Sequence, residues 1–423
     1  MRIFYCLIML IFIVACNPNQ PNAQLAANSN NNLNNNTNNN PQPAKPDSTR
    51  PLLKIKLGFI GDIMGHGDQI VAAMDEKTKL YDYELCFRYV RNLFEQQDFM
   101  LGNLELTLSN KGKYTGYPRF RSPDALAFGL KNAGFDFLTT ANNHSNDGDL
   151  YGITHTLDIL DSINLPHTGT FRDSAEYAKT YPYVHTHKLK QGELRIAYLN
   201  YSYGTNGIPT PKPAIVNLID TTQMLKDIEM VKKSKPHLIV ALVHWGSEYQ
   251  LNEARAQQDV TKMLWRNGVK VVVGAHPHVI QPIKTDTVDN KTGGKTINYC
   301  VYSLGNFISN QNQKNTDIGL MVELELAQNQ PDGELELVNH DYILLWRYIH
   351  NKAAAVVNRN YIVVPAAAFE NDTTKFMQLS ASELAAMRSA AENMRKHLSK
   401  WGATERKVTM QEVLNGNVKK PNE

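Results

Sequence analysis

The side chains best suited to hold divalent cations in this chain fall at one kind of place. The stretch Val271–Gln281, VVVGAHPHVIQ, shows it most densely. Three β-branched residues predict a short buried strand, Gly274 is expected to let the chain turn, and His276 and His278 follow, held apart by Pro277. In an α/β protein the loop beyond a strand's carboxyl end is where ligands bind, so two imidazoles there read as paired metal ligands. A single histidine after a strand is more often a hydrogen-bonded core or rim residue, so the ligand reading depends on other strands delivering partners. They do: apolar runs also lead into Asp62, Glu105, Asn143 with His144, and His244. A pair of divalent ions needs carboxylates, one of them bridging, with imidazoles and an amide oxygen to complete each shell. The set meets that demand for Mn, Zn, Fe or Mg.

Positioning such a set requires alternating strands and helices. Leu53–Ile60 reads as a strand ending at Gly61-Asp62, Glu84–Gln97 as a helix by the spacing of Leu85, Tyr89 and Leu93, and Phe99–Leu101 as a strand leading to Gly102-Asn103-Leu104-Glu105. Asp124–Ala133 (helix), Phe135–Ala141 (strand), Leu150–Ile163 (helix), Leu194–Tyr201 (strand), Thr222–Lys233 (helix), Leu238–Val243 (strand) and Glu253–Asn267 (helix) continue the pattern, which is that of right-handed α/β crossovers. After His278 the reading changes to consecutive antiparallel strands: Val279–Thr285, a turn-rich Asp286–Lys295, Ile297–Leu304, Ile318–Leu326, a Pro331-Asp332-Gly333 turn, and Glu334–Leu345. A run of strands without helices needs a second layer, so two packed sheets with helices outside are expected. Ser380 with Glu383 forms a capping box ahead of a helix whose apolar stripe runs through Leu384, Met387, Ala391, Met394, Leu398 and Trp401 to Gly402. That width predicts docking on the core rather than a free partner-binding helix.

Gly61-Asp62-Ile63-Met64, Gly102-Asn103-Leu104-Glu105, Ala141-Asn142-Asn143-His144 with Asp147, His244-Trp245-Gly246 with Glu248-Tyr249, Gly274–Gln281 and Ser303-Leu304-Gly305-Asn306-Phe307 follow one another in an order and spacing that resembles the CapA-type poly-γ-glutamate capsule biosynthesis family. The likeness runs from Lys54 to Gln311. That family is grouped with calcineurin-like metallophosphoesterases, so the resemblance implies a four-layer α-β-β-α sandwich and two divalent metal ions. It implies that Asp62 ligates one metal, Glu105 bridges, Asn143 and His244 ligate, His276 and His278 complete the shells, and His144 is either the general acid or a group that supports the ligands from behind. It also places Asn103, Arg121, Trp245 and Asn306 where substrate would lie. For Arg121 a structural salt bridge is the alternative, and for Trp245 core packing. Two positions depart from the wider superfamily. Its opening Asp-x-His pair becomes Asp62-Ile63-Met64, with His66 two residues late, and its bridging aspartate becomes the longer Glu105. These departures bear on phosphatase activity more than on metal binding.

The resemblance implies a metal-dependent hydrolase or transferase that uses metal-activated water on an anionic capsule or envelope polymer, alone or with other capsule synthesis subunits. A non-catalytic polymer-binding or assembly protein on the same fold is the second reading, and a metallophosphoesterase the third. Lys and Arg total 44 against 41 Asp and Glu, which gives no polyanion signature and no expectation of nucleic acid. Arg2 precedes an apolar run, Ile3–Ala15, shorter than the ~20 residues a spanning helix needs. With Ile13-Val14-Ala15-Cys16 it reads as a lipoprotein signal, residues 1–16, that leaves Cys16 lipidated and the chain anchored at the cell envelope; a plain signal peptide is the alternative. Asn17–Arg50, rich in Asn, Pro, Gln and Ser, has little to bury and reads as a disordered tether with ends about 30–35 Å apart. The metallophosphatase-like domain is expected over 51–365 and a helical extension over 366–423. Cys86 and Cys300 read as two buried thiols rather than a disulfide. His185 and His187 share a strand face without an accompanying carboxylate and read as solvated edge residues.

Overall fold

The computed structural model describes residues 52–111, 113–289, 295–328, 330, 333–351, 359–370 and 379–414. The expected export signal with Cys16, the tether up to Arg50, most of the Pro331-Asp332-Gly333 turn and the end of the helical extension lie outside these residues. Among the described residues no helix is long and apolar enough to cross a membrane.

Two large sheets carry the domain. The first runs in the order Arg359–Pro365, Leu335–Asn351, Ile318–Gln328, Lys54–Ile63, Phe99–Leu104, Phe137–Thr139, His167–Thr168, with Asn306–Ile308 also paired to Lys54–Ile63. The second runs Ile283–Asp289, Lys295–Val301, Val271–Ala275, Leu238–His244, Gly192–Ser202, Tyr183–Leu189. Period-two alternation packs them together. Leu194, Ile196 and Tyr198 point one way into the core shared with the first sheet, where the Tyr198 ring lies 5.6 Å from Phe99 and 5.2 Å from Phe137. Their neighbours Ala197, Leu199 and Tyr201 point the other way, against Met224 and Ile228 of the helix Thr221–Lys233 and Leu264 of the helix Arg255–Arg266. Outside the first sheet Phe94 packs on Phe135 at 5.1 Å and Phe87 stacks on Phe307 at 5.6 Å. Each phenylalanine so buried stabilises the fold by about 1.5–3 kcal/mol. The result is the expected four-layer α-β-β-α sandwich.

Several elements differ in detail from expectation. The helix expected over Glu84–Gln97 is two short pieces, Glu84–Phe87 and Arg91–Phe94, because Cys86, Val90 and Leu93 each donate to the residue three back and tighten the turns. The strand expected over Phe135–Ala141 shortens to Phe137–Thr139. The run of strands after His278 is divided between the sheets. Lys295–Val301 lies antiparallel to Ile283–Asp289 but parallel to Val271–Ala275, and the chain then crosses to the first sheet, where Asn306–Ile308 is parallel to Lys54–Ile63. Gly274 is no turn: it sits inside the strand Val271–Ala275, where a β-carbon would fall 2.0 Å from the Tyr302 carbonyl oxygen and 2.6 Å from the Trp245 indole nitrogen. His187 is buried beside Tyr198 Oη at 3.1 Å, and with His185 it packs on Phe99, so this pair belongs to the core edge and not to solvent.

The helix Ala381–Leu398 begins as its capping box predicts, with Ser380 Oγ accepting from the Glu383 amide at 3.3 Å and Glu383 Oε2 accepting from the Ser380 amide at 2.7 Å. Met387, Ala391, Met394 and Leu398 join the same core as the sheets. Trp401 does not; it is 39 % exposed, with the Lys284 ammonium 4.3 Å above its ring. Cys86 and Cys300 are free thiols, Cys300 buried and Cys86 partly so.

Candidate metal centre

Strand register builds the site. In the first sheet Asp62 is paired on one side with Asn306, which opens the strand Asn306–Ile308, and on the other with Asn103, and Asn103 with Thr139, so Asp62, Asn103 and Thr139 stand abreast at the carboxyl ends of adjacent parallel strands. Gly61 permits that approach, since a β-carbon there would meet the Gly305 carbonyl oxygen at 1.8 Å. In the second sheet His244 is paired with Ala275, one residue before His276. The facing strand ends therefore bring both sheets' polar residues to one place. His276 and His278 have φ of 99° and 60°, left-handed conformations rare outside glycine. Such backbone costs about 1–3 kcal/mol each and collects at functional sites.

Glu105 lies at the centre. It is fully buried, its amide donates to the Ile63 carbonyl at 3.0 Å, and among the described residues neither carboxylate oxygen has a hydrogen-bond partner. Its Oε1 is 3.6 Å from His244 Nε2 and 3.8 Å from His278 Nε2. Asp62 Oδ1 accepts from Asn103 Nδ2 at 2.8 Å, and its Oδ2 lies 3.1 Å from His278 Nδ1, which is also 3.0 Å from Asn306 Oδ1. Two oxygen neighbours place the His278 proton on Nδ1 and leave the Nε2 lone pair facing Glu105. Asn143 Oδ1 is 2.7 Å from His244 Nε2. Two groups emerge that share Glu105: Glu105 with His244 and His276, and Asp62 with Glu105 and His278, the ligand atoms of each lying within 4.8 Å of one another. A third group joins Glu248, an exposed residue, to His276 and His278.

Electrostatics agree with this geometry. Burial, and after it the Asp62 charge, pushes the Glu105 carboxyl well above its ordinary range. Burial holds the His244 imidazole well below its ordinary value, with His276 adding to the effect, and lowers His276 to about 3, with His278 adding. His244 and His276 are thus neutral at physiological pH, as ligands must be, and a cation would displace the Glu105 proton. The buried Glu105 oxygens and His276 Nδ1, all without partners, together with this oxygen and nitrogen donor set, fit divalent cations.

Beside the cluster stands His144, buried, with Nδ1 2.6 Å from Asp147 Oδ2, which also accepts from the Phe120 amide at 2.6 Å. The loop is fastened from below by Asn142, whose Nδ2 donates to the Leu104 carbonyl at 2.7 Å and whose Oδ1 accepts from the His144 amide at 3.0 Å. Asp147 as the carrier of His144, and Glu248 as a neighbour of His276 and His278, are the residues whose roles went unassigned from sequence. Both stood inside quoted motifs; nothing in spacing alone separates a carrier from a bystander.

The remaining candidates divide. Asn103 and Asn306 lie inside the cluster, hydrogen-bonded to its members. Asn306 Nδ2 is occupied by Ser309, Gln311 and Thr316, so its role is to orient His278. Arg121 reaches the Asp147 carbonyl with Nε and Nη2 at 3.3 Å and Asp149 at 3.5 Å, the salt-bridge alternative, on the rim beside His144. Trp245 is corrected: it is 2 % exposed, donates to the Tyr302 carbonyl at 3.0 Å and packs on the helix side of the second sheet, facing no substrate. Met64 is buried, and His66 is turned aside, its Nδ1 3.1 Å from Gln69 Oε1 and accepting from the Asn310 amide at 3.2 Å.

Fold and site together define an α/β sandwich protein with a candidate metal centre shared between the ends of its two sheets. The chain belongs to the family described as bacterial capsule synthesis protein PGA_cap, which it matches over residues 56–311. It is 26 % identical over 281 residues to the PGA biosynthesis protein CapA of Bacillus subtilis, covering 65 % of this chain and 68 % of that one. It is 26 % identical over 286 residues to the capsule biosynthesis protein CapA of Bacillus anthracis, covering 65 % of each. The chain thus spans about two thirds of the length of these relatives. Among solved structures, the Haemophilus influenzae NAD nucleotidase NadN aligns over 85 % of this chain and 58 % of its own at 12 % identity and a TM-score of 0.42. A likeness of that size carries no argument about this chain.

Proposed function

We propose that this protein is a metal-dependent hydrolase or transferase that acts on an anionic capsule or envelope polymer, held at the cell surface by lipid on Cys16. The observation that carries the reading is Glu105: a buried carboxylate without hydrogen-bond partners, common to two ligand groups built from opposite sheets. Asp62, Glu105 and His278 would hold one cation, and Glu105, Asn143, His244 and His276 the other. Held there, a divalent cation would supply Lewis acidity to the site. The chain's own residues do the rest. Asp147 fixes the His144 ring through Nδ1, which leaves Nε2 to give a proton to the leaving group; such a proton transfer is typically worth about 10²–10⁴ in rate.

A binding or assembly role without catalysis is favoured by one observation, the buried Met64 where the wider superfamily has an imidazole. The experiment that separates the two readings is turnover by the purified full chain with Mn²⁺, screened on γ-glutamyl amides, phosphoesters and polysaccharide-linked phosphodiesters, wild type against His144→Ala. Catalysis predicts turnover that His144→Ala loses while retaining metal and fold. Equal inertness of both proteins with metal bound establishes the binding role.

A further inference from the structure

The loop after the strand Gly192–Ser202 contains no carboxylate or imidazole, yet it is fastened to the loop that carries Asn143 and His144. Asn146 Nδ2 donates to the Ile208 carbonyl at 2.9 Å and to Thr210 Oγ1 at 3.1 Å. At its tip the Ile208 amide donates to the Thr205 carbonyl at 2.9 Å, closing a turn whose central residues, Asn206 and Gly207, have φ of 52° and 72°. Two successive left-handed residues make the turn that an Asn-Gly pair adopts most readily. That turn aims the Asn206 side chain at Asn143. Asn206 Oδ1 accepts from Asn143 Nδ2 at 3.3 Å and from the Tyr203 hydroxyl at 3.3 Å.

The consequence lies at the other end of the Asn143 amide. A carboxamide ligates a cation through oxygen, because the nitrogen lone pair is delocalised into the carbonyl. The two ends are nearly identical in shape, so only hydrogen bonding decides which faces the cluster. Asn143 Oδ1 faces His244, 2.7 Å from Nε2. An acceptor at Asn206 favours that orientation, since the flipped amide would set oxygen against oxygen. We propose that Asn206 is a positioning residue: it turns the Asn143 amide oxygen toward the metal centre. The inference rests on the metal reading of that centre. Tyr203 supports it, its ring 4.5 Å from His276 and its hydroxyl on the same Asn206 oxygen.

Calorimetric titration of the metal-free full chain with Mn²⁺ alone tests this in wild type, Asn206→Gly and Asn206→Asp. Glycine keeps the left-handed turn and removes the acceptor; aspartate keeps an acceptor and cannot donate. Residues that orient a ligand typically change metal affinity by about 10–100-fold. Asn206→Gly should bind Mn²⁺ that much more weakly while melting like wild type in EDTA, and Asn206→Asp should stay within about threefold of wild type. Wild-type affinity in Asn206→Gly overturns the proposal, and so does an Asn206→Asp as weak as the glycine variant, which would make Asn206 a donor to a flipped amide. A wild-type chain that takes up no Mn²⁺ overturns the metal reading itself, and the role of Asn206 with it.

Discussion

Replacing Glu105 with glutamine should make the metal-free protein more stable and remove its response to divalent cations. The wild-type carboxyl is fully buried, both oxygens are without partners, and Asp62 stands beside it. A buried polar group left unpaired costs about 1–3 kcal/mol, and a charge there costs more. Its carboxyl in the folded chain is held above the ordinary value near 4.5, so the native state keeps a proton that the unfolded chain releases. Metal-free stability therefore falls as pH rises above that value, by up to about 1.4 kcal/mol per pH unit until the native carboxyl ionises. Glutamine cannot ionise, so its advantage should be small at pH 5 and about 1–2 kcal/mol or more at pH 8, a rise of about 1–4 °C in melting temperature. Mn²⁺ at a hundredfold excess over its dissociation constant should add about 2.7 kcal/mol to wild type and little to the variant. Thermal or urea denaturation in EDTA and in Mn²⁺, at both pH values, measures all four quantities. A variant less stable than wild type in EDTA at pH 8, or one that keeps the full Mn²⁺ shift, refutes the reasoning.

Three further outcomes are expected. His187, lowered to about 3 by burial with His185 adding, stays neutral in the fold while the unfolded chain protonates near 6.5; its contribution is intact above pH 6.5 and lost as pH falls toward 3. Between pH 7 and pH 5 that loss is about 2 kcal/mol, and His187→Gln should lack this component in urea titrations at the two pH values. Asp147→Asn should keep metal content while losing about 10²-fold or more in any turnover found for wild type, because the neutral amide no longer stabilises the charged ring that gives its Nε2 proton; unchanged turnover would make Asp147 a structural residue only. Detergent-phase partitioning of the full chain should disappear in Cys16→Ser, since acyl chains contribute ~0.8 kcal/mol per buried methylene; a serine variant that partitions like wild type rules out lipidation at Cys16.

The layers were legible because strands buried on both faces leave continuous apolar runs, such as Leu238–Val243, and the helices leave 3.6-residue stripes. The candidate ligands were legible because their types are rare at strand ends and their motifs kept order. Four things were not. The division of the late strands between sheets is a matter of pairing partners, which the apolar pattern of Ile297–Leu304 does not specify. Gly274 signals a turn in sequence, but its cause is the Tyr302 carbonyl, distant in the chain and visible only once folded. Trp245 follows the candidate ligand His244 directly, yet alternation along an extended backbone sends adjacent side chains to opposite faces, one to the cluster and one to the helices. Asn206 was hidden for the related reason that its partner, Asn143, is met only through tertiary contact.

The buried carboxylate and imidazoles are expected to hold divalent cations, and elemental analysis of the purified full chain measures this. After equilibration with Mn²⁺ or Zn²⁺ and removal of excess metal, wild type should retain about two ions per chain, and a variant combining Glu105→Ala with His276→Ala should retain almost none while remaining folded. Full occupancy in the double variant, or none in wild type, would contradict the account.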